Sequence, residues 1–136
     1  MDVNAIFQGL ATAAATIPGL RTYATPPDTV NPPVFTTVAM DLAYHQTFGT
    51  TGMSAIHITC GVYTSAGDTD AGRKLLIGYL APTGAQSILA AIEADRTLGG
   101  ACSTLVVDSV HDAFRLYDIN GVQFLGAEFD LRVWAT

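Results

Sequence analysis

Residues 67–74 stand between an alternating stretch and a helical one, where a phosphate-binding loop would sit. Such a loop needs Gly, four residues, Gly, then Lys and Ser or Thr, because backbone N–H groups cradle the phosphates while the Lys and the hydroxyl complete the site. Gly67 and Gly72 have that spacing, but Arg73 and Lys74 fill the last two places, and Asp68 and Asp70 would repel phosphate. The run reads instead as a helix start, where acids suit the dipole. The same two acids fail as a calcium loop, because the twelfth position holds Tyr79 where a glutamate is needed. His57 and Cys60 are three apart on a strand and point to opposite faces. A nucleophilic set of Cys60, His111 and Asp112 has no local support, and Cys60 reads as a buried core residue. His45 and His111 lack a second His or Cys at ligand spacing. Glu93 and Asp95 are two apart on a helix and do not face each other. There is no Gly-x-Ser-x-Gly elbow and no Gly-x-Gly-x-x-Gly. The residues therefore specify no catalytic centre, cofactor or metal site.

The elements that carry these residues read clearly in places. Asp2 caps a first helix, with Val3, Ile6, Phe7, Leu10, Ala14 and Ile17 at three- and four-residue steps, and Pro18 and Gly19 stop it. Residues 20–24 suggest a short strand. Residues 25–33 hold four prolines, Pro26, Pro27, Pro32 and Pro33, and form a stiff arm. Residues 34–44 alternate, with Val34, Thr36, Val38, Met40, Leu42 and Tyr44 on one expected face. After a Gly- and Thr-rich loop at 46–52, residues 54–65 alternate again, with Ile56, Ile58, Cys60 and Val62 on one face. A helix then starts near Asp68 with a stripe of Ala71, Leu75, Leu76, Tyr79 and Leu80, and Pro82 breaks it. Thr83 and Gln86 suggest a capping box for a further helix, with Ile88, Leu89 and Ile92 as its core face.

Strands 104–110, 113–119 and 122–134 finish the chain, the last two around an Asn120–Gly121 turn. Counting outward from that turn pairs Ile119 with Val122, Leu116 with Leu125 and Phe114 with Ala127. Leu125, Ala127, Phe129, Leu131 and Val133 fall on one face, and Glu128, Asp130 and Arg132 on the other. Tyr117, Ile119, Val122 and Phe124 would cluster near the turn, either as an exposed interface or under a local fold-back. The order of elements predicts an α+β fold: one mostly antiparallel sheet with two to three helices on one face, in a single domain over residues 1–136.

Composition narrows the role. Apolar residues make up 49% and charged residues 13% of the chain, a charge-poor surface of the kind that hides in interfaces. The net charge of −6 and six scattered basic residues argue against tight nucleic-acid binding. No apolar run approaches the length of a membrane span, and the N-terminus lacks the basic region of a signal peptide. Expression in a cytosol follows, with Cys60 and Cys102 as reduced core residues.

Several stretches together carry a family resemblance. They are Ile17, Pro18, Gly19, Leu20 and Arg21; Thr25, Pro26, Pro27 and Asp28; Asn31, Pro32 and Pro33; and the run Tyr44, His45, Gln46, Thr47, Phe48, Gly49. Leu80, Ala81, Pro82, Thr83 and Gly84 follow, leading into Ser87, Ile88, Leu89, Ala90, Ala91 and Ile92, and the run 120–128 closes the set. In order and spacing the chain resembles the tail terminator proteins of long-tailed, siphovirus-type bacteriophages, those of actinobacterial phages above all. The resemblance implies a structural viral protein and not an enzyme, with no catalytic residues to carry over. It implies a homo-hexameric ring that caps the head-proximal end of the tail tube, stops tube polymerisation and joins the head connector. Its implied partners are other copies of itself, the tail tube protein and a connector or stopper protein, with DNA passing through the lumen without specific binding and no membrane. The implied location is the virion neck, after assembly in the host bacterial cytoplasm. Candidate interface residues are Pro26, Pro27, Asp28, Pro32 and Pro33 of the arm, Phe48 of the loop, and Tyr117, Ile119, Val122 and Phe124 of the hairpin. Two alternatives remain open: another neck, tail-completion or tube protein, and a small ligand-binding or enzymatic α+β domain using Cys60 or His57.

Overall fold

The computed structural model describes residues 2–27, 29–43, 54–66 and 69–135. Its fold is α+β: a five-stranded mixed sheet with three α-helices. The strands are β1 (Arg21–Tyr23), β2 (Val34–Ala43), β3 (Ser54–Ser65), β4 (Thr104–Ile119) and β5 (Val122–Ala135), in the spatial order β1-β2-β3-β5-β4. The helices are α1 (Val3–Ala14), α2 (Thr69–Leu80) and α3 (Ile88–Glu93). The first opens where expected, the Asp2 carboxylate accepting from the Ala5 N–H at 3.2 Å.

Strand parity decides the core. Ile56, Ile58, Cys60 and Val62 of β3 and Leu125, Ala127, Phe129, Leu131 and Val133 of β5 are all buried on the helix side. They meet Ile6 and Leu10 of α1, Leu76 and Tyr79 of α2, and Ile88 and Ile92 of α3. The β3–β5 ladder runs without a break from Ser54–Ala135 to Ser65–Phe124, so it forms the sheet's rigid centre. The β5–β4 hairpin closes through Asn120 and Gly121, both at positive φ (53° and 83°), as a two-residue hairpin turn requires. Ile119–Val122 and Leu116–Leu125 pair as expected.

Four local expectations give way. The 104–110 and 113–119 strands are one strand, β4, and its register shifts between His111 and Arg115, so Phe114 does not stand opposite Ala127. Asp112 and Phe114 at positive φ (52° and 61°) absorb the extra residues of this bulge. β4 shifts register again between Val107 and Ser109, and a bulge between Thr37 and Ala39 flips β2. Val34 and Thr36 pair with Tyr63 and Gly61 on the helix-free face, whereas Met40 and Leu42 pair with Ile58 and Ile56 on the helix side. The single face expected for Val34 through Leu42 is thus split.

The stripe of α2 is also rotated. Gly72, Leu76 and Tyr79 are buried, while Ala71 and Leu75 are exposed. Gly72 sets this rotation by touching β3, where its carbonyl accepts from the Thr64 hydroxyl at 3.2 Å. Last, α3 is capped by Ser87 and not by Thr83. Gly84 has φ +109°, outside helical space, and the Ser87 hydroxyl oxygen accepts from the Ala90 N–H at 3.1 Å. The expected helix start at Asp68 lies outside the described residues, as do Tyr44, His45 and the 46–52 loop.

Candidate functional site

Among the described residues all three α-helices pack on one face of the sheet, so side chains of opposite parity make up a helix-free face. Its two ends differ in chemistry. The end near the β4–β5 turn is apolar: Val34, Tyr63 and Phe124 are buried there, with Tyr23, Val30, Tyr117 and Ile119 packed against them. Glycines make room for the rings. A Cβ on Gly126 would lie 2.7 Å from the Val62 carbonyl oxygen and 2.8 Å from the Tyr63 ring, and a Cβ on Gly61 would meet the Tyr63 hydroxyl. Tyr63 therefore lies across β3 and β5, and Tyr117 meets it edge-on with centroids 5.3 Å apart.

What covers this end is the arm. Because β1 and β2 are adjacent and parallel, the chain between them must cross a face of the sheet. It crosses the helix-free one. Val30 packs on the apolar cluster, and Pro26, Pro27 and Val30 cover a cavity of about 190 Å³ floored by Val34, Tyr63 and Ile119. The Arg21 guanidinium holds the arm by donating to the carbonyls of Asn31 and Pro32, each at 3.3 Å. Pro32 also borders a second cleft, with Ile119, Val122 and Phe124.

The structure thus brings Pro26, Pro27, Pro32, Tyr117, Ile119, Val122 and Phe124 to one end of one face, with Pro33 anchoring the arm through its carbonyl to the Arg21 N–H at 3.1 Å. Asp28 and Phe48 lie outside the described residues. Phe124 is only 5% exposed, and Tyr117 and Ile119 are half-buried, whereas Val122 is 55% exposed. The hairpin cluster is therefore mostly closed by the chain's own arm, the fold-back alternative, and the arm rests on its own sheet.

The other end of the face is ionic. Asp130 sits between two imidazoles: its Oδ1 lies 3.5 Å from His57 Nε2 and its Oδ2 lies 3.2 Å from His111 Nε2. The Thr59 hydroxyl donates to Asp130 at 3.3 Å. His111 Nδ1 faces Asp112 at 3.2 Å, and Arg115 reaches the same carboxylate at 3.3 Å. Arg132 pairs with Asp108, and its guanidinium lies over Trp134. Glu128 helps hold the Tyr117 hydroxyl protonated, although burial is the larger cause, and burial with Glu128 pushes Tyr63 up to about 12. Sequence reasoning missed this network. Its one legible signal was the outward parity of Glu128, Asp130 and Arg132; the pairing of three strands and the β4 bulges complete it.

One pH effect follows. The hydrogen bond to Asp112, then Asp130 and Glu128, raises the His111 pKa above its ordinary value, with burial opposing. A raised folded pKa adds stability that is fully present below the unfolded value and is lost as pH rises through the folded one. The melting temperature of the wild type relative to His111→Gln should therefore fall between about pH 5.5 and about pH 8. A constant difference across that range would remove His111 from the balance.

The rival chemistry finds no shared site. Cys60 is fully buried on the helix side, where burial raises its thiol to about 12 despite the Thr37 hydroxyl 4.0 Å away. His57, His111 and Asp112 lie on or beside the opposite face, so Cys60 cannot join them. Cys102 is likewise a buried free thiol. Glu93 accepts from the Val107 N–H at 2.9 Å and pairs with Arg96, while Asp95 accepts from Thr97 and Gly99, so each carboxylate ties a separate turn. Lys74 pairs with Asp70 one turn away, and the Arg73 guanidinium lies 5.9 Å from the Phe114 ring centroid. Among the described residues no group of three or more His, Cys, Asp or Glu could hold a metal ion, and no helix is long and apolar enough to cross a membrane.

No protein-family model matches this chain, and no curated protein matches it.

Proposed function

We propose that the chain is a structural subunit of a phage tail terminator, a hexameric ring on the head-proximal end of the tail tube that stops polymerisation and receives the head connector. The observation that carries this reading is where the exposed apolar surface lies. Val38 and Met40 are exposed on β2, Ile77 on α2, and Phe114 and Leu116 on β4. The two strands are on opposite sides of the sheet, with β3 and β5 between them. Exposed apolar groups on two different sides suit a subunit that meets a different surface of each neighbour, which is the contact a ring needs. The low charge of the chain and the family resemblance of its sequence point the same way.

The test is electron microscopy of tails assembled with and without the protein. Its absence should give tails of uncontrolled length that fail to join heads, and its addition should give capped tails bearing a six-fold ring. Unchanged tail length would end the terminator reading and turn attention to another neck role.

A further inference from the structure

The proline arm does not fill the space it crosses. Between it and the helix-free face lies a cavity of about 190 Å³. Its lid is Pro26, Pro27 and Val30, and its floor is Val34, Thr36 and Tyr63. Ile119 and Val38 complete the wall. The floor is fixed, because Val34 and Thr36 pair with Arg21 and Tyr23 on one side and with Tyr63 and Gly61 on the other. The far end of the lid is fixed too, by the Arg21 guanidinium on the carbonyls of Asn31 and Pro32.

Water has little to hold in this space. A buried water needs about two to four polar partners. Pro26 and Pro27 carry no backbone N–H. The stretch from Val34 to Thr36 has a strand on each side, so the backbone groups of the floor are taken up in two ladders. The Thr36 hydroxyl donates to the Thr37 carbonyl at 3.4 Å. Tyr63 keeps its proton, because burial and then Glu128 push its hydroxyl up to about 12. Among the described residues no charged side chain lines the cavity. Cavities of about 150 Å³ with apolar walls stay dry and take benzene or xenon.

We propose that this cavity is a binding site for one small, uncharged, apolar molecule of the size of benzene or toluene, held between the arm and the floor of the sheet. Such a ligand puts atoms against walls that otherwise face a void, and each wall gains dispersion contacts. It displaces little water, as in other poorly hydrated apolar pockets. A charged analogue would lose its hydration and find no partner on the walls, so the site rejects it. Val38, 43% exposed, stands at the rim and gives a way in beside the arm. The walls come from the arm and from β2, β3 and β4, so an occupied site ties the arm to three strands. The site does not depend on the ring reading.

Toluene titrated into the full chain and followed by two-dimensional NMR should give saturable shifts at the arm, Val34, Val38, Tyr63 and Ile119. The dissociation constant should be about 1 mM or tighter. Benzoate and benzylamine, the charged analogues, should give no such shifts. Val30→Phe fills the cavity from the lid and should weaken toluene binding about ten-fold or more. Ile119→Ala enlarges the cavity and should admit naphthalene, which the native chain excludes. Ile119 is only half-buried beside the turn, so this second variant keeps the test alive if Val30→Phe does not fold. Toluene shifts spread evenly over the chain, an equal response to benzylamine, or undiminished toluene binding by a folded Val30→Phe protein would overturn the site. So would naphthalene binding that is the same in the native chain and in Ile119→Ala.

Discussion

Replacing Phe124 by Asp should unfold the protein, while Val122→Asp, two residues away on the same strand face, should leave it folded. Both residues belong to the apolar group near the β4–β5 turn, and by sequence they are equivalent. In the structure Phe124 is 5% exposed and Val122 is 55% exposed. Phe124 packs with Val34 and Tyr63 beneath the arm. Removing its ring with Ala should cost about 3–5 kcal/mol, a large part of the ~5–15 kcal/mol that holds a domain together. Asp adds the cost of a carboxylate placed among apolar groups with no partner. The exposed Val122 site should change stability by no more than about 0.5 kcal/mol. Urea unfolding followed by circular dichroism separates the cases. A Phe124→Asp protein with an unchanged midpoint that has lost self-association would return the hairpin cluster to the interface.

The same contrast shows what was legible in the sequence. The two-residue periodicity of β3 and β5, read with the Asn120–Gly121 turn, identified the central strands, their core faces and the hairpin register near the turn. Those signals are local, and the buried face demands them. The arm was legible as stiff but not as a cover. Its course depends on β1 being parallel to β2, and three residues, Arg21 to Tyr23, carry no signal of direction. Bulges were equally silent. One extra residue near Val38 moves Met40 and Leu42 to the other face, although the apolar pattern of β2 continues unbroken. The ionic end needed three strands brought into register, and only the outward parity of β5 announced it. The residues that looked reactive along the chain were separated by the sheet itself.

Gly72 carries this lesson into a test, because the sequence places it only at the start of a helix and the structure makes it a contact. In α2 it faces β3 so closely that a Cβ would lie 2.5 Å from the Ser65 carbonyl oxygen and 3.1 Å from the Thr64 hydroxyl. Backbone cannot yield as a flexible side chain can, so Gly72→Ala should push α2 outward. That movement would strain the Thr64 hydroxyl, whose single proton is shared between the Gly72 carbonyl at 3.2 Å and the Leu125 carbonyl at 3.0 Å, and would disturb the buried Leu76 and Tyr79. The expected loss is about 1–3 kcal/mol, the usual cost of overpacking. Gly78, in the same helix, should respond with the opposite sign. Its added Cβ would meet only Gln86 at 3.4 Å, an ordinary contact, and Ala removes the entropic penalty of a helical glycine. Gly78→Ala should therefore stabilise by about 0.5–1 kcal/mol. Paired denaturation curves decide it: equal shifts for both variants would mean that helix propensity alone governs α2 and that its seat on β3 is not set by Gly72.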